Sequence, residues 1–371
     1  MSSKPRIAVL FGGRSSEHEV SLMSAANVVG AMDRSRYEIV PIAVTRSGEW
    51  LLIDWDGATM PSAVPATGTG VCLLPGGRGR MMAMPPAGAA YELPPVSVVF
   101  PVLHGLFGED GSVQGHCEVA DVAYVGCGIL GSVAALDKDI AKRLLADAGL
   151  AVAPSVTLRR GDPASFETIS TTLGLPVFVK PARQGSSVGV GRARTSDEFT
   201  GVLSDAFRHD DKVLVETFVD GREIECAVLE DADGSLVVSL PGEIVPAEKH
   251  GFYSYDAKYI DADGAVVKVP ADLPDQVAAS IREIARRAFL ALGCEGMARV
   301  DVFLKVDGTV TINEVNTIPG FTNISMYPKA FAASGIDNTE LIDRLIAHAL
   351  RRDSARRSDK AASAKSEVAA A

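Results

Sequence analysis

The amino-acid sequence predicts an α/β protein, α+β overall, whose N-terminal part is a parallel sheet covered by helices. Near-continuous apolar strands at residues 6–11, 38–44 and 96–100 alternate with helical segments, a pattern typical of parallel strands buried on both faces. Farther along, alternating apolar residues on both sides of Asp307-Gly308 predict an antiparallel hairpin. The length of 371 residues suffices for two or three domains.

Composition excludes several classes of function. A net charge of −11 and a pI of about 5.1 argue against nucleic acid or an anionic membrane surface as a standing partner. The chain has no leader-like segment and no apolar run long enough to cross a membrane, so we expect a cytoplasmic protein. Its five cysteines show no CxxC spacing, which indicates neither a disulfide framework nor a zinc site.

The patterns predict four segments. An N-terminal parallel-sheet domain covers residues 1–130 and includes a Pro/Gly/Ala-rich excursion at residues 54–93. A helix at residues 132–148, with its apolar residues on one stripe, opens a central domain over residues 131–220. A third unit over residues 221–353 holds the hairpin. Residues 354–371 are polar and lack an apolar face, so we expect a disordered tail.

Two loops follow strands of the N-terminal sheet. Gly12-Gly13 opens a strand-to-helix turn whose backbone N–H groups and helix dipole favour an anion or a carboxylate ligand. Because the turn is not GxGxxG, it is weak evidence for a dinucleotide. Glu17, in the first turn of the helix, could equally serve only to offset the helix dipole. The second loop contains His104 among three glycines at the carboxyl end of the sheet, so His104 is predicted to orient or approach a substrate.

Residues 177–190 predict a strand, a Gly/Ser loop and a second strand. A Walker loop would end in Gly-Lys-Ser/Thr before a helix, whereas here Lys180 precedes the loop. Backbone N–H groups around Gly185–Ser187 are predicted to hold phosphate oxygens, with Lys180 as a point charge. The strand at residues 212–217 carries Glu216, and Glu223 follows it. Both could accept hydrogen bonds from an adenine amine or ribose hydroxyls.

Residues 250–259 form an aromatic, glycine-hinged segment with a central lysine. Long loops without secondary structure are often lids, and the aromatic residues favour a lid that packs when it closes.

The hairpin predicts the chemistry of the site. A two-residue turn at Asp307-Gly308 would place Asp301 opposite Glu314 and Arg299 opposite Asn316, on the face that also carries Phe303 and Ile312. Like charges directly opposite on a sheet destabilise it by roughly 0.2–1 kcal/mol, so a divalent cation between the two carboxylates is favoured. Oxygen ligands of this kind suit Mg²⁺ or Mn²⁺. The alternative is a solvated strand face on which Arg299 merely neutralises the acids.

Five motifs, in order along the chain, resemble those of the D-alanine–D-alanine ligases of the ATP-grasp superfamily. They read GGxSxEHEVS, HGxxGEDG, KPxxxGSSxG, FYxYxAKY, and ARVD followed by NEVNTxPGFT and SMYP. The resemblance covers the chain from Arg6 to about Leu350. It implies an ATP-grasp fold with an N-terminal Rossmann-like domain, and ATP between the central and C-terminal subdomains. A homodimer is also expected from it.

The resemblance also implies roles for individual residues. Asp301, Glu314 and Asn316 match the ligands of two Mg²⁺ or Mn²⁺ ions. The ATP-binding residues would be Lys138, Lys180, Ser187, Glu216, Val219, Glu223 and Phe303. The catalytic residues would be Glu17, Ser186, Tyr259, Arg299 and the Gly320 N–H. Substrate would be bound by His104, Lys258, Ser325 and Met326.

The reaction implied is ATP-driven joining of two D-alanine molecules through an acylphosphate, for peptidoglycan precursor synthesis. One alternative is an enzyme of the same fold that makes a D-alanyl-D-lactate ester, against which Tyr259 argues. Another is a catalytically silent ATP-binding regulatory protein, against which Arg299, Glu17 and Ser186 argue.

Overall fold

The structure is a computed structural model that describes residues 4–246 and 265–370. These residues form three sheets with helices between and around them. No helix in these two ranges is both long and apolar enough to span a membrane. The lid segment, with Lys258 and Tyr259, lies outside the described residues.

The first sheet has eight strands in the order β6-β5-β4-β3-β2-β1-β7-β8. Its strands are β1 (Arg6–Gly12), β2 (Glu38–Val44), β3 (Trp50–Leu52), β4 (Thr69–Leu73), β5 (Met81–Met84), β6 (Tyr91–Leu93), β7 (Val98–Val102) and β8 (Ala123–Tyr124). Strands β2, β1, β7 and β8 are parallel, as their apolar sequences predict. The excursion at residues 54–93 extends this sheet, because β4, β5 and β6 add antiparallel strands beyond β3.

The second sheet is antiparallel, in the order β11-β10-β12-β9. Its strands are β9 (Ser155–Arg159), β10 (Val177–Pro181), β11 (Gly191–Ala193) and β12 (Lys212–Thr217). The third sheet has the order β16-β15-β13-β17-β18, and β14 pairs with β13. Its strands are β13 (Arg222–Glu230), β14 (Leu236–Val238), β15 (Gly242–Pro246), β16 (Ala265–Lys268), β17 (Met297–Leu304) and β18 (Val310–Asn316).

Nine helices occur in the described ranges. They are α1 (His18–Ala31), α2 (Ser112–Val119), α3 (Ile129–Leu136), α4 (Lys138–Asp147), α5 (Phe166–Leu173), α6 (Ser196–His209), α7 (Asp275–Ala291), α8 (Met326–Ala333) and α9 (Asn338–Ala370). One hydrophobic core joins β1 and β7 of the first sheet to β13 and β17 of the third through α1, α8 and α9. This shared core fixes the first sheet against the third.

The prediction of a single helix at residues 132–148 is wrong, because the structure has two helices there. Asp137 is extended, with ψ of 98°, and separates α3 from α4. Its side chain accepts a hydrogen bond from the Ile140 N–H at 3.2 Å, so it caps the second helix. As a result, Lys138 becomes the first residue of a helix and not a mid-helix residue.

The prediction of a two-residue turn in the hairpin is also wrong, although the predicted pairing of Asp301 with Glu314 is present. Lys305 N–H donates to the Thr309 carbonyl, so the loop has three residues, with Gly308 at φ of 83°. A bulge between Asp301 and Val302 then shifts the register by one residue and restores the Asp301–Glu314 pairing. Ile312, predicted to lie beside the acids, instead packs in the core on the other face.

The disordered tail predicted after Asp353 is contradicted by α9, which continues to Ala370. Arg356 forms an ion pair with Glu118 and another, at 3.2 Å, with Asp121. Arg357 donates to the Asp121 carbonyl at 2.8 Å. The beginning of the predicted tail is therefore held against α2 and the turn that follows it by polar contacts of charged side chains, which apolar periodicity in the sequence does not reveal.

Candidate active site

A cavity of about 520 Å³ lies where the three sheets meet. The predicted site residues that line it are Glu17, His104, Lys138, Ser186, Arg299, Glu314, Asn316, Gly320, Ser325 and Met326. These residues come from all three sheets and their loops. The cavity therefore depends on the relative placement of the sheets.

The loop between β10 and β11 reaches across to the start of α1. Ser186 O–H donates to a carboxylate oxygen of Glu17, the residue that precedes α1. A side chain at Gly185 would place its Cβ 2.9 Å from Glu17, so glycine permits the close approach. Ser186 and Ser187 both have left-handed backbone, with φ of 52° and 58°. Consecutive non-glycine residues in this region are uncommon and tend to mark functional loops.

Two lysines link the second and third sheets beside the cavity. Lys138 Nζ donates to the Gln184 carbonyl at 2.8 Å and lies 3.3 Å from Glu314 Oε2. Lys180 Nζ donates to Asn313 Oδ1 at 3.3 Å. Asn313 is the extra residue of the hairpin bulge. Both ammonium groups therefore lie near the hairpin.

Glu216 is buried between two lysines. Its carboxylate oxygens lie 2.8 Å from Lys142 Nζ and 2.5 Å from Lys180 Nζ. Burial opposes ionisation of Glu216, but the charges of Lys180 and Lys142 outweigh it and lower the pKa of the carboxyl group. Glu216 is thus a charged residue that holds Lys180 in place.

A buried arginine joins two carboxylates on neighbouring strands. Arg299 donates to Asp301 through Nε at 2.7 Å and through a terminal nitrogen at 2.6 Å, and its Nε lies 3.0 Å from Glu225. Burial disfavours its charge, but Asp301 and Glu225 outweigh that effect and raise the pKa of Arg299. Asn316 Nδ2 donates to Asp301 at 3.0 Å. Arg299 is therefore always charged at the cavity wall.

The predicted metal ligands are brought together on one face of the hairpin. Asp301 lies opposite Glu314, and Arg299 opposite Asn316. Within residues 4–246 and 265–370, no cluster of three or more His, Cys, Asp or Glu side chains forms a metal site from protein groups alone. The all-oxygen donors suit Mg²⁺, which is usually held by one or two carboxylates together with substrate phosphates.

Two side chains of the His104 loop are buried against the loop that follows β18. His104 Nδ1 lies 2.9 Å from the Ile318 carbonyl, and burial lowers the pKa of its ring. Glu109 accepts hydrogen bonds from the N–H groups of Gly105 at 2.9 Å and Ile318 at 3.2 Å. Burial, followed by the charge of Glu17, raises the pKa of Glu109 to about 7.

Ser325 and Met326 lie at the start of α8, next to Gly320. The Ser325 hydroxyl accepts from the Thr322 N–H at 3.0 Å, and a Cβ at Gly320 would lie 2.8 Å from that hydroxyl. The Met326 side chain is 3% exposed and packs against Gly242. Met326 therefore contributes to the core as well as to the cavity wall.

The predicted adenosine residues lie away from the cavity. Glu223 pairs with Phe303 across β13 and β17, and Val219 is half-buried in the connector between β12 and β13. Two more predicted residues do not line the cavity. Ser187 follows the lining residue Ser186, and Asp301 accepts hydrogen bonds from the lining residue Arg299.

Four residues at or beside the cavity were missed by the sequence reasoning. They are Glu109, Lys142, Glu225 and Asn313. Glu109 lies inside the HGxxGEDG motif, which could have drawn attention to it. Lys142 and Glu225 act through partners far along the chain, and the bulge that exposes Asn313 has no sequence signal that we recognise.

Comparison with known proteins decides the family. A model described as "D-ala D-ala ligase N-terminus" matches residues 6–127, and one described as "D-ala D-ala ligase C-terminus" matches residues 144–347. The chain belongs to the D-alanine–D-alanine ligase family. It is 62% identical over 359 residues to D-alanine–D-alanine ligase A of Mesorhizobium japonicum, which covers 96% of this chain and 100% of that protein.

Solved structures of family members agree with this fold. The D-alanine–D-alanine ligase of Coxiella burnetii is 34% identical, with a TM-score of 0.86 over 99% of this chain and 100% of that chain. The VanG D-Ala:D-Ser ligase of Enterococcus faecalis is 36% identical, with a TM-score of 0.83 over 93% of this chain and 99% of that chain. The ATP-grasp fold predicted from the sequence is confirmed.

Proposed function

We propose that this chain joins two D-alanine molecules into D-alanyl-D-alanine, with cleavage of ATP to ADP and phosphate, for peptidoglycan precursor synthesis. The observation that carries the proposal is the single cavity that unites Glu17 and Ser186 with Arg299 and Glu314. It supports a reaction that needs an ammonium site, a phosphate site and an oxyanion site together. The proposal includes ATP as a substrate, a cytoplasmic location and a homodimer.

The first D-alanine binds with its ammonium group at Glu17. That carboxylate is held by the Ser186 hydroxyl, and Gly105 and Gly185 leave room beside it. One carboxylate oxygen of the substrate then attacks the γ-phosphorus of ATP, ADP departs and an acylphosphate forms. His104 lines the same cavity and serves the substrate side, together with Lys258 from the lid.

Phosphoryl transfer requires that negative charge be neutralised. Lys138 and Lys180 supply two ammonium groups, and the left-handed backbone of Ser186 and Ser187 presents N–H groups to phosphate oxygens. Asp301, Glu314 and Asn316 would hold one or two Mg²⁺ or Mn²⁺ ions, which supply further positive charge beside the phosphates. Glu216, Val219, Glu223 and Phe303 would contact the adenosine.

The second D-alanine attacks the acylphosphate carbonyl through its amine, after the ammonium loses a proton. Negative charge then develops on the carbonyl oxygen, next to Arg299 and the Gly320 N–H. Collapse of this tetrahedral species forms the peptide bond and releases phosphate. Ser325 and Met326 would bind the carboxylate of the second D-alanine, and Tyr259 would complete the contacts of the lid with Ser186 and Glu17.

The deciding experiment measures phosphate release and identifies the product with D-alanine, L-alanine, D-serine, D-lactate or no amino acid. We expect D-alanine to give ADP, phosphate and D-alanyl-D-alanine in equal amounts. Ester formation with D-lactate as the main reaction would support the depsipeptide alternative. ATP binding without phosphate release under any condition would support the silent regulatory alternative.

A further inference from the structure

Four side chains, two on α1 and two in the loop between β7 and α2, hold both ends of the loop that contains Gly320. At the near end, the Ile318 N–H donates to Glu109 at 3.2 Å, and the Ile318 carbonyl lies 2.9 Å from His104 Nδ1. At the far end, the Phe321 N–H donates to Ser24 Oγ at 3.2 Å, and the Phe321 carbonyl accepts from Asn27 Nδ2 at 2.5 Å. The N–H and the carbonyl of both Ile318 and Phe321 are therefore held by side chains from outside the loop.

The two ends are also linked to each other. His104 Nε2 lies 3.2 Å from Ser24 Oγ. With Nδ1 donating to the Ile318 carbonyl, the neutral ring accepts from the Ser24 hydroxyl, which in turn accepts from the Phe321 N–H. Burial favours this neutral ring, because it lowers the pKa of His104. A continuous chain of hydrogen bonds thus runs from Ile318 to Phe321 through His104, in the loop after β7, and Ser24, on α1.

Only Pro319 and Gly320 lie between these two anchors. Pro319 fixes its own φ but has no N–H to anchor, and Gly320 has no side chain to restrict its φ and ψ, so Gly320 does not by itself fix its backbone geometry. The Ile318 and Phe321 side chains are 3% and 1% exposed, so the anchors themselves are immobilised in the core. The direction of the Gly320 N–H is therefore set by the anchors.

We propose that Ser24, Asn27 and Glu109, together with His104, are positioning residues for the Gly320 N–H. This inference rests on the proposed function, in which that N–H stabilises the oxyanion. A donor of this kind is effective only when it is held close to its productive geometry. Helix α1 has Glu17 at its start and carries Ser24 and Asn27 farther along, so one helix both receives the first D-alanine and orients the oxyanion donor.

Substitutions of residues that lie outside the cavity test this positioning role. Neither Ser24 nor Asn27 lines the cavity. For Ser24→Ala and for Asn27→Ala we expect kcat to fall roughly 10- to 100-fold, since a displacement of about 1 Å at a reacting group costs up to that factor. The KM values for ATP and D-alanine should stay within about twofold. Dipeptide formation is followed in single turnovers, so that product release does not mask the chemical step.

Ser239→Ala is the matched control. Ser239 is as buried as Ser24, its hydroxyl also accepts from a backbone N–H, that of Ala227 at 3.0 Å, and it does not line the cavity either. Its hydroxyl binds Ala227 and Leu240 and not the loop that contains Gly320. We expect Ser239→Ala to lose thermal stability as Ser24→Ala does while its kcat stays unchanged. An equal fall of kcat in the control would reduce the effect to general destabilisation and overturn the proposal.

The outcomes also separate this proposal from the proposed function. An inactive parent protein would overturn the proposed function itself. An active parent with unchanged kcat in folded Ser24→Ala or Asn27→Ala would overturn only the positioning role. A rise of KM without a fall of kcat would likewise contradict it, because it would indicate a role in binding. If Ser24→Ala fails to fold, the half-buried Asn27 still decides the question.

Discussion

Asp301 and Glu314 lie directly opposite each other on β17 and β18, and each carboxylate lies beside a cationic side chain. Asp301 receives two hydrogen bonds from Arg299, and Glu314 lies 3.3 Å from Lys138. Because Arg299 also binds Glu225, three carboxylates share two cationic side chains beside the cavity. The assignment of Glu314 as a metal ligand can therefore be tested by removing the charge of its carboxylate.

Glu314→Gln should lower kcat at least 100-fold, or about 2.7 kcal/mol of barrier, and should weaken the dependence on Mg²⁺. The fold should survive, because removal of one of two close carboxylates relieves repulsion. The measurement is phosphate release across a Mg²⁺ titration, with thermal unfolding alongside. Glu167→Gln, at an exposed position of α5, is the control. Full activity with an unchanged Mg²⁺ response would show that Glu314 is not a metal ligand.

Ser186→Ala should raise the KM for the first D-alanine roughly tenfold or more. The hydroxyl donates to the charged Glu17, and such hydrogen bonds contribute about 1.5–3 kcal/mol. Ser186→Gly is the companion variant, because glycine accepts the left-handed backbone at φ of 52° while it also lacks the hydroxyl. Steady-state kinetics on both variants distinguishes the causes. An effect in the alanine variant alone would indicate backbone strain instead of the lost hydrogen bond.

Glu216→Gln should lower the free energy of unfolding by about 3–5 kcal/mol, the usual cost of leaving a buried partner uncompensated. Here two buried ammonium groups, of Lys142 and Lys180, would lose their shared carboxylate. Urea unfolding measures the change. The double variant Lys142→Met/Glu216→Gln should recover part of the loss. A decrease below about 1 kcal/mol would mean that the ion-pair cluster is not a stabilising element.

Glu109→Gln should change how stability depends on pH. Burial raises the pKa of Glu109 to about 7 in the folded protein, above its ordinary value. Its contribution to stability is then fully present below the unfolded pKa and is lost as pH rises through about 7. As pH rises from about 5 to 8, the free energy of unfolding of Glu109→Gln minus that of the parent should increase by roughly 2.5 kcal/mol. Urea unfolding at a series of pH values tests this; parallel curves would contradict it.

Residues close along the chain were placed well by sequence reasoning, even where a detail was wrong. The predicted turn was one residue too short, and the bulge at Asn313 was not foreseen. These two errors cancel, so Asp301 faces Glu314 as expected. Beside the bulge, the Ile312 N–H donates to the carbonyl of Ala151, a residue far along the chain, at 2.8 Å. Between the turn and the bulge the register pairs Ile312 with Val302, so Ile312 lies on the apolar face and not beside the acids.

By itself, the sequence determined the family, the parallel strands of the first sheet and ten of the residues that line the cavity, because motifs, apolar runs and short turns are local patterns. Only the tertiary structure decided which charges meet. The Glu216–Lys142 and Glu225–Arg299 pairs and the anchors on Ile318 and Phe321 join residues far apart along the chain. Such contacts exist only once the shared core fixes the sheets against one another, and no local pattern encodes that packing.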